Sequence, residues 1–364
     1  MLSTVPKSCW FSVAVFIISI ACSSVEAMDH VTLRREGRTL YVEGRKVLDA
    51  QDGGVLLLAR DGVLWRILPT ELVKHAIDDT PFRAYPAEQM AKSVLRVLPK
   101  GFQVYRTNHY MICHNTSQTY AKWCGATFEW LYTAFRNTWK QRGFEMVDPE
   151  FPLVAVVFSD RASYAEFSKH ELGDAKGLPE SYYYPESNRL VMYDLTGRNK
   201  PGDAVSTMVH EATHQLAFNG GLHQRLSDCP KWFAEGIAMY YETPDPGRTK
   251  GLAGVGAVNH PRLAQFQQYL RQRPTDSLKT LISSDDRLID VNQGLDAYAE
   301  SWALTYYLIH KHPKQYVAYL KVLSRKRPLV YDEKATRLAE FEKEFGPLAK
   351  LDADFLNYVQ TRVR

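Results

Sequence analysis

Residues 203–221, with the sequence DAVSTMVHEATHQLAFNGG, are the part of this chain that most strongly limits its fold. Apolar residues recur there at the spacing of an amphipathic helix. Asp203 is expected to cap the start of this helix, and the Asn219-Gly220-Gly221 run is expected to end it. The predicted helix carries His210 and His214 on one face. Its expected apolar stripe consists of Val205, Met208, Val209, Ala212 and Leu216.

The run from His210 to His214 is an HExxH sequence. Two imidazoles four residues apart on a helix can bind one metal ion, and Glu211 then lies beside that ion. A catalytic zinc site needs three protein ligands and an open position for water. Glu235 is the candidate third ligand, because Pro230 can begin a second helix that turns back towards the first. We therefore predict Zn²⁺ as the cofactor and Glu211 as the general base that accepts a proton from a metal-activated water.

The HEATHQ run at residues 210–215 and the WFAEGIA run at residues 232–238 resemble the gluzincin metallopeptidases. This superfamily includes thermolysin and the zinc aminopeptidases, whose third ligand lies in a similar Trp-x-x-Glu-Gly segment. Residues 101–325 resemble still more closely an uncharacterised family of secreted bacterial proteins with a peptidase-like domain. That closer resemblance also rests on Tyr183, Asn219, Arg225 and the run YAESWAL at 298–304.

The resemblance implies a mixed upper sheet, an HExxH helix beneath it and a helical lower half. Tyr298 is the candidate donor to the oxyanion, although the spacing of its helix equally suits a packing role. Asn219, Arg225 and Tyr183 are candidates for support of the ligands or contact with substrate. Asn219 also has the ordinary explanation of a helix C-terminus, and Arg225 that of a surface cation. The hairpin at 182–194 is expected to offer an edge strand to an extended peptide.

The order of predicted elements indicates an α+β fold. Residues 1–27 are interpreted as a signal peptide, 28–100 as a small β-rich module with a linker helix, and 101–364 as the zinc metallopeptidase-like domain. Strands are predicted at 38–42, 55–59, 63–67, 151–158 and 189–194. Helices are predicted at 86–99, 121–142, 203–219, 230–242, 261–272, 295–311, 313–325, 332–345 and 348–361.

The composition excludes some classes of function. The 364 residues carry a formal net charge of only +4, and no dense Lys/Arg stripe is interleaved with aromatics, so nucleic-acid binding is not expected. No apolar run after the signal is long enough for a stable membrane span. The protein is expected to be secreted or to lie in the periplasm or cell envelope. Cys113 and Cys124 are a possible disulfide in such a compartment, and Cys229 is expected to be a free thiol.

These observations favour a secreted zinc peptidase that acts on peptide or protein substrates. The chain lacks the Gly-x-Met-Glu-Asn motif with which aminopeptidases hold a substrate's N-terminal amine, so internal cleavage is the preferred interpretation. The alternative is a zinc-stabilised peptide-binding or cell-envelope protein without turnover. Glu211 weighs against that alternative, since it is not needed to hold zinc. The histidines at 223, 310 and 312 are expected to be structural. The oligomeric state is left open.

Overall fold

The computed structural model describes residues 27–173, 178–196, 201–243 and 255–363, with only the backbone described at 201–203. The signal-peptide prediction falls almost entirely outside the described residues. The predicted cap at Asp203 concerns a side chain that is also outside them. Within the described chain, the expected α+β fold is confirmed: two five-stranded sheets precede a mainly helical C-terminal half.

The first sheet is antiparallel and has the strand order β4-β3-β2-β1-β5. Glycine turns with positive φ at Gly53 and Gly62 join β2 to β3 and β3 to β4, as the Asp-Gly signals predicted. The strands β1 and β5 were not predicted. Because β5 is mostly exposed, its sequence does not alternate regularly between apolar and polar residues. The strands are β1 Ala27–Arg35, β2 Arg38–Asp49, β3 Val55–Ala59, β4 Leu64–Ile67 and β5 Leu72–Pro81.

The second sheet is mixed and has the order β6-β7-β8-β10-β9. Its three central strands are parallel, while β6 and β9 run antiparallel to their neighbours at the two edges. The strand β8 is buried along its whole length, as expected for a central parallel strand with an unbroken apolar run. The strands are β6 Gln103–Arg106, β7 Tyr110–His114, β8 Leu153–Phe158, β9 Ser181–Tyr184 and β10 Arg189–Tyr193.

The remaining elements are helices. Among the described residues, three helices precede the HExxH segment: α1 Ala87–Val97, α2 Gln118–Gln141 and α3 Arg161–Leu172. The helical half consists of α4 Pro201–Asn219, α5 Lys231–Tyr241, α6 His260–Tyr269, α7 Ser277–Ser283, α8 Asp286–Ile289, α9 Gly294–Lys311, α10 Pro313–Leu323, α11 Lys334–Phe345 and α12 Leu348–Arg362. The helices α3, α7 and α8 were not predicted. In α3 only Tyr164 and Ser168 are buried, which leaves no apolar stripe to detect, and α7 and α8 are short.

The second sheet separates two hydrophobic cores. One face packs with α2, α4 and the other C-terminal helices, and the other face packs with α1, α3 and residues of the first sheet. Cys124 belongs to the first core and Cys113 to the second. Both are buried free thiols, so the proposed pairing of these two cysteines is wrong, and Cys229 is free as expected. None of the helices in the described part of the chain is both long and apolar enough to cross a membrane.

Candidate metal centre

The helix α4 lies against the second sheet through its buried residues and one buried amide. Met208, Val209 and Leu216 are almost fully buried, in agreement with the predicted stripe. The Gln215 side chain donates hydrogen bonds to the backbone carbonyls of Val154 and Asn188, at 3.0 Å each. Because this amide joins α4 to both β8 and the hairpin after β9, it sets the rotation of the helix that carries His210 and His214.

The helix α5 is held close to α9 by a glycine. A Cβ atom at Gly236 would lie 2.0 Å from Thr305 Oγ1 and 2.9 Å from the Ser301 carbonyl oxygen, so a larger residue cannot fit without movement of α9. Trp232 and Phe233 anchor the same helix in the core by stacking with aromatic residues of α10. This packing turns the next face of α5, which bears Glu235, towards α4.

The three predicted ligands converge in the structure. His210 Nε2 lies 3.1 Å from Glu235 Oε2 and 3.2 Å from His214 Nε2. The third side of this triangle, between His214 Nε2 and Glu235 Oε2, is 3.6 Å. The three side chains are 13–18% exposed, so they lie at the floor of a cleft that solvent can reach.

The triangle fits a small tetrahedral cation. A zinc ion with bonds of about 2.0–2.2 Å to nitrogen and oxygen requires its ligand atoms to lie about 3.3–3.5 Å apart. The three observed separations of 3.1, 3.2 and 3.6 Å bracket that range. In the described chain, these three residues form the group whose side chains lie close enough together to hold one metal ion. The donor set of two imidazoles and one carboxylate is also one that catalytic zinc uses.

Glu242 is a functional candidate that the sequence interpretation missed. Its Oε1 lies 2.7 Å from His210 Nδ1, so the other ring nitrogen, Nε2, is the one presented to Glu235 and His214. The opposite oxygen of Glu242 accepts a hydrogen bond from the Asn259 amide at 2.9 Å. A carboxylate in this place orients a ligating imidazole and increases its basicity. The available signal was the seven-residue spacing from Glu235, which places both carboxylates on one face of a helix.

His210 and Glu211 titrate in an unusual environment. Burial lowers the pKa of His210, but hydrogen bonds to Glu235 and Glu242 and the charge of Glu211 outweigh it, so the net pKa lies well above the usual imidazole value. Burial is the largest influence on Glu211 and raises the pKa of its carboxyl, while the two neighbouring histidines act in the opposite direction. A carboxyl whose pKa is raised by burial is the kind of group that functional sites use for proton transfer.

Tyr183 holds Glu211 through its backbone. The Tyr183 N–H of the edge strand β9 donates to Glu211 Oε2 at 2.8 Å. The Tyr183 side chain points elsewhere: its hydroxyl donates to Asn188 Oδ1 at 2.8 Å, and its ring stacks on Phe218. Tyr183 is thus placed to position Glu211 through its backbone N–H, while its ring packs on Phe218, which also lines the cleft.

Tyr298 lies on the wall of the cleft, which has a volume of about 1440 Å³ and also contains Glu211 and Glu235. Burial, followed by the negative charges of Glu235 and Glu211, raises the pKa of Tyr298, so its hydroxyl keeps its proton at neutral pH. The Arg262 guanidinium lies 5.8 Å from the centre of the Tyr298 ring. A protonated phenol facing the same cleft as the candidate ligands can serve as a hydrogen-bond donor to a developing negative charge.

Asn219 and Arg225 are not in contact with the three candidate ligands. Asn219 Nδ2 donates to Asn188 Oδ1 at 2.7 Å, which fastens the hairpin after β9 to the end of α4. Arg225 donates to the carbonyl oxygens of Gly62 at 2.8 Å and Pro185 at 3.0 Å, so it joins a turn of the first sheet to the same hairpin. Their roles in the structure are to hold the hairpin in place.

The three histidines that were expected to be structural, at positions 223, 310 and 312, lie outside the ligand triangle. His223 is buried with its ring edge-to-face against Phe218, and burial together with nearby His214 lowers its pKa to about 3. His310 Nδ1 bonds to the Tyr306 carbonyl oxygen, and His312 Nε2 lies 3.1 Å from the Tyr307 hydroxyl.

One segment of the chain matches a known family model, and this segment contains the candidate site. No curated protein matches the chain. Residues 204–330 match the model of a family described as "Protein of unknown function (DUF1570)". The matched segment runs from α4 into the loop after α10, and it includes the three candidate ligands together with Glu211, Glu242 and Tyr298.

Proposed function

We propose that this protein is a zinc-dependent peptidase of the gluzincin type, which acts outside the cytoplasm and cleaves internal bonds of peptides or proteins. The observation that carries the proposal is the triangle of His210 Nε2, His214 Nε2 and Glu235 Oε2, whose sides of 3.1–3.6 Å suit one tetrahedral ion. The presence of Glu211 in the same cleft adds a group that a purely structural zinc site does not need.

The three ligating side chains would hold Zn²⁺ and leave one position open. A zinc ion bound there supplies Lewis acidity, which polarises a carbonyl and lowers the pKa of water from 15.7 towards about 7. Glu242 keeps the His210 ring in the tautomer that offers Nε2 to the ion, because its carboxylate lies 2.7 Å from Nδ1.

The proton transfers fall to Glu211. Its carboxyl is held by the Tyr183 N–H through Oε2, which leaves Oε1 to accept a proton from the attacking water and to return it to the departing amine. Tyr298, which shares the cleft, donates its hydroxyl proton in a hydrogen bond to the oxyanion that forms at the substrate carbonyl.

The edge strand β9 supports capture of an extended peptide. It pairs with β10 on one side only among the described strands, and it lies directly beside Glu211. An unpaired strand edge can add a peptide strand through main-chain hydrogen bonds. Because the Tyr183 N–H is already used by Glu211, a bound peptide would pair with the remaining backbone groups of that edge.

The decisive experiment compares Glu211→Gln with wild-type protein after both are loaded with zinc. Cleavage sites in a diverse peptide mixture are mapped by mass spectrometry, with and without chelator, and bound zinc is measured. We expect Glu211→Gln to retain about one zinc per chain and to lose cleavage by about 10²–10⁴-fold, the contribution of a positioned general base. Wild-type cleavage should stop when zinc is removed.

A matched control is Glu129→Gln, which removes a glutamate that bonds His109 away from the cleft. It should leave both zinc content and cleavage unchanged. Full activity in Glu211→Gln would exclude the proposed mechanism. Tight peptide binding with no products in zinc-loaded wild-type protein would instead favour the non-catalytic binding protein.

A further inference from the structure

A second cavity of about 890 Å³ lies on the other side of the hairpin formed by β9 and β10. Its walls come from the first sheet, from the end of α3 and from the hairpin itself. Tyr184 lines this cavity, whereas the preceding residue, Tyr183, lines the metal cleft. Since neighbouring residues of a strand point to opposite faces, the two cavities are separate binding volumes that share one wall.

Two arginines that line the second cavity already form ion pairs with carboxylates of the protein. The Arg35 guanidinium binds both oxygens of Glu71, at 2.6 and 2.7 Å. Arg66 forms an ion pair with Glu186. These two arginines therefore already have their counter-ions within the protein, and the cavity gains no net charge from either pair.

Arg189 differs from both of these arginines. It is only 6% exposed and lines the cavity, and its guanidinium makes no hydrogen bond or ion pair with any described residue. Nearby, the buried Ser187 hydroxyl also has no partner among the described residues. An anion that enters the cavity can accept the charge-assisted hydrogen bonds that this guanidinium does not make within the described structure.

The remaining acidic groups limit which anion fits. Glu171 lines the same cavity, and its one hydrogen bond in the described structure comes from the neutral Tyr182 hydroxyl, at 2.8 Å. Asp61 accepts hydrogen bonds from Ser93 and from a backbone N–H. A multiply charged anion such as phosphate would be repelled by these carboxylates, whereas a ligand with one carboxylate and one ammonium group would meet an opposite charge at each end.

We propose that this cavity binds the free carboxylate of an amino acid or short peptide at Arg189, with the ligand's ammonium group facing Glu171. The planar guanidinium offers paired N–H donors that match the two oxygens of a carboxylate. The volume of about 890 Å³ lies in the range of small-ligand sites and is large enough for several residues of peptide. This proposal does not depend on zinc or on hydrolysis, because none of its residues lies in the metal cleft.

The test is calorimetric titration of metal-free full-length protein, prepared with chelator and then dialysed. The probes are alanine, dialanine, N-acetyl-dialanine, dialanine amide and inorganic phosphate. We expect dialanine to bind saturably and its amide to bind about tenfold more weakly or worse, since the amide lacks the charged partner of Arg189. Comparison of alanine with dialanine separates a free amino acid from a peptide as the natural source of the carboxylate.

The variant Arg189→Met should weaken dialanine binding by about tenfold or more, since one charge-assisted pair is lost. Its melting temperature should be no lower than that of wild type, because no protein partner of the guanidinium is lost. Arg189→Lys keeps the positive charge but lacks the paired N–H donors of a guanidinium. This variant should bind dialanine with intermediate affinity. The matched control Arg66→Met/Glu186→Gln removes a complete ion pair from the same cavity and should change affinity by less than about threefold.

The proposal is overturned if dialanine does not bind, if its amide binds equally well, if phosphate binds more tightly than dialanine, or if Arg189→Met and the control variant behave alike. Because the titration uses metal-free protein, any of these results leaves the peptidase proposal standing. Conversely, an inactive metal centre would not affect the binding measured here.

Discussion

Glu235 and Glu300 are carboxylates on the neighbouring helices α5 and α9, and the groups that surround them differ. Glu300 is fully buried and is matched by cations: Arg273 Nε donates to one oxygen at 2.7 Å, and Arg287 lies 2.9 Å from the other. The Ser277 hydroxyl also donates a hydrogen bond to Glu300 Oε2, at 2.7 Å. Glu235 instead faces two imidazoles at 3.1 and 3.6 Å, with no Lys or Arg in ion-pair contact within the described chain.

The difference distinguishes a structural cluster from a candidate metal centre. Around Glu300 every strong acceptor has a donor from the protein, so the cluster is complete and needs no ligand. Around Glu235, three atoms with lone pairs lie 3.1–3.6 Å from one another, with no Lys or Arg of the described chain in ion-pair contact with Glu235. Such atoms stay together only if protons or a cation lie among them.

The largest expected effect concerns Glu300. We expect Glu300→Gln to lower the free energy of unfolding by about 3–5 kcal/mol, since it leaves buried arginines without a full counter-charge. Glu235→Gln in metal-free protein should cost only about 1 kcal/mol, the net value of an ordinary hydrogen bond. Urea unfolding of both variants, with and without zinc, measures the difference.

In the same experiment zinc should stabilise wild-type protein and Glu300→Gln but not Glu235→Gln, because ligand binding adds stability only where the site is intact. If the two variants lose equal stability in the absence of metal, the distinction between a complete cluster and a ligand site is wrong.

The next effect concerns Tyr298, which lies on α9 only two residues before Glu300 but faces the cleft. Tyr298→Phe should lower kcat by about 10²–10³-fold, the loss expected for one oxyanion donor, with little change in zinc content. The readout is cleavage of a peptide identified in the mapping experiment. Tyr306→Phe on the same helix is the control, and it should keep its activity. An unchanged kcat in Tyr298→Phe would assign that residue to packing alone.

The smallest effect concerns Glu242. We expect Glu242→Gln to weaken zinc affinity by about 10–100-fold, as is typical when the carboxylate behind a ligating imidazole is lost. Zinc competition with a chromophoric chelator measures this affinity. Glu129→Gln is again the matched control, because Glu129 also lies 2.7 Å from the Nδ1 atom of a histidine, His109, but outside the cleft. Unaltered affinity in Glu242→Gln would show that His210 does not need its carboxylate partner.

Much of the candidate site could be predicted from the sequence because its geometry is local. The four-residue spacing of His210 and His214 places them on one face of any α-helix, whatever surrounds it. The helix itself follows from its apolar stripe and from the glycines after Asn219. Likewise, the unbroken apolar run at 151–158 predicted a buried strand, and the structure has Leu153–Phe158 there.

Other features depended on packing between distant segments, which a periodic pattern does not encode. The carboxylate behind His210 comes from Glu242, and the hydrogen bond to Glu211 comes from the backbone of Tyr183. Arg225, a candidate from the resemblance, is bonded to carbonyl oxygens of Gly62 and Pro185 instead of the ligands.

The sequence by itself determined that two imidazoles share a helix face and that an acid lies next to them, because helical periodicity is a property of the backbone. The tertiary structure brought Glu235, a ligand candidate from the sequence, to these imidazoles, and only the tertiary structure decided that Glu300 meets arginines. Glu300 is fully buried and Glu235 is partly exposed, and the identity of their partners depends on how α4, α5 and α9 pack together. Packing is set by side-chain shapes across the whole core, such as the close contact that Gly236 permits with Thr305.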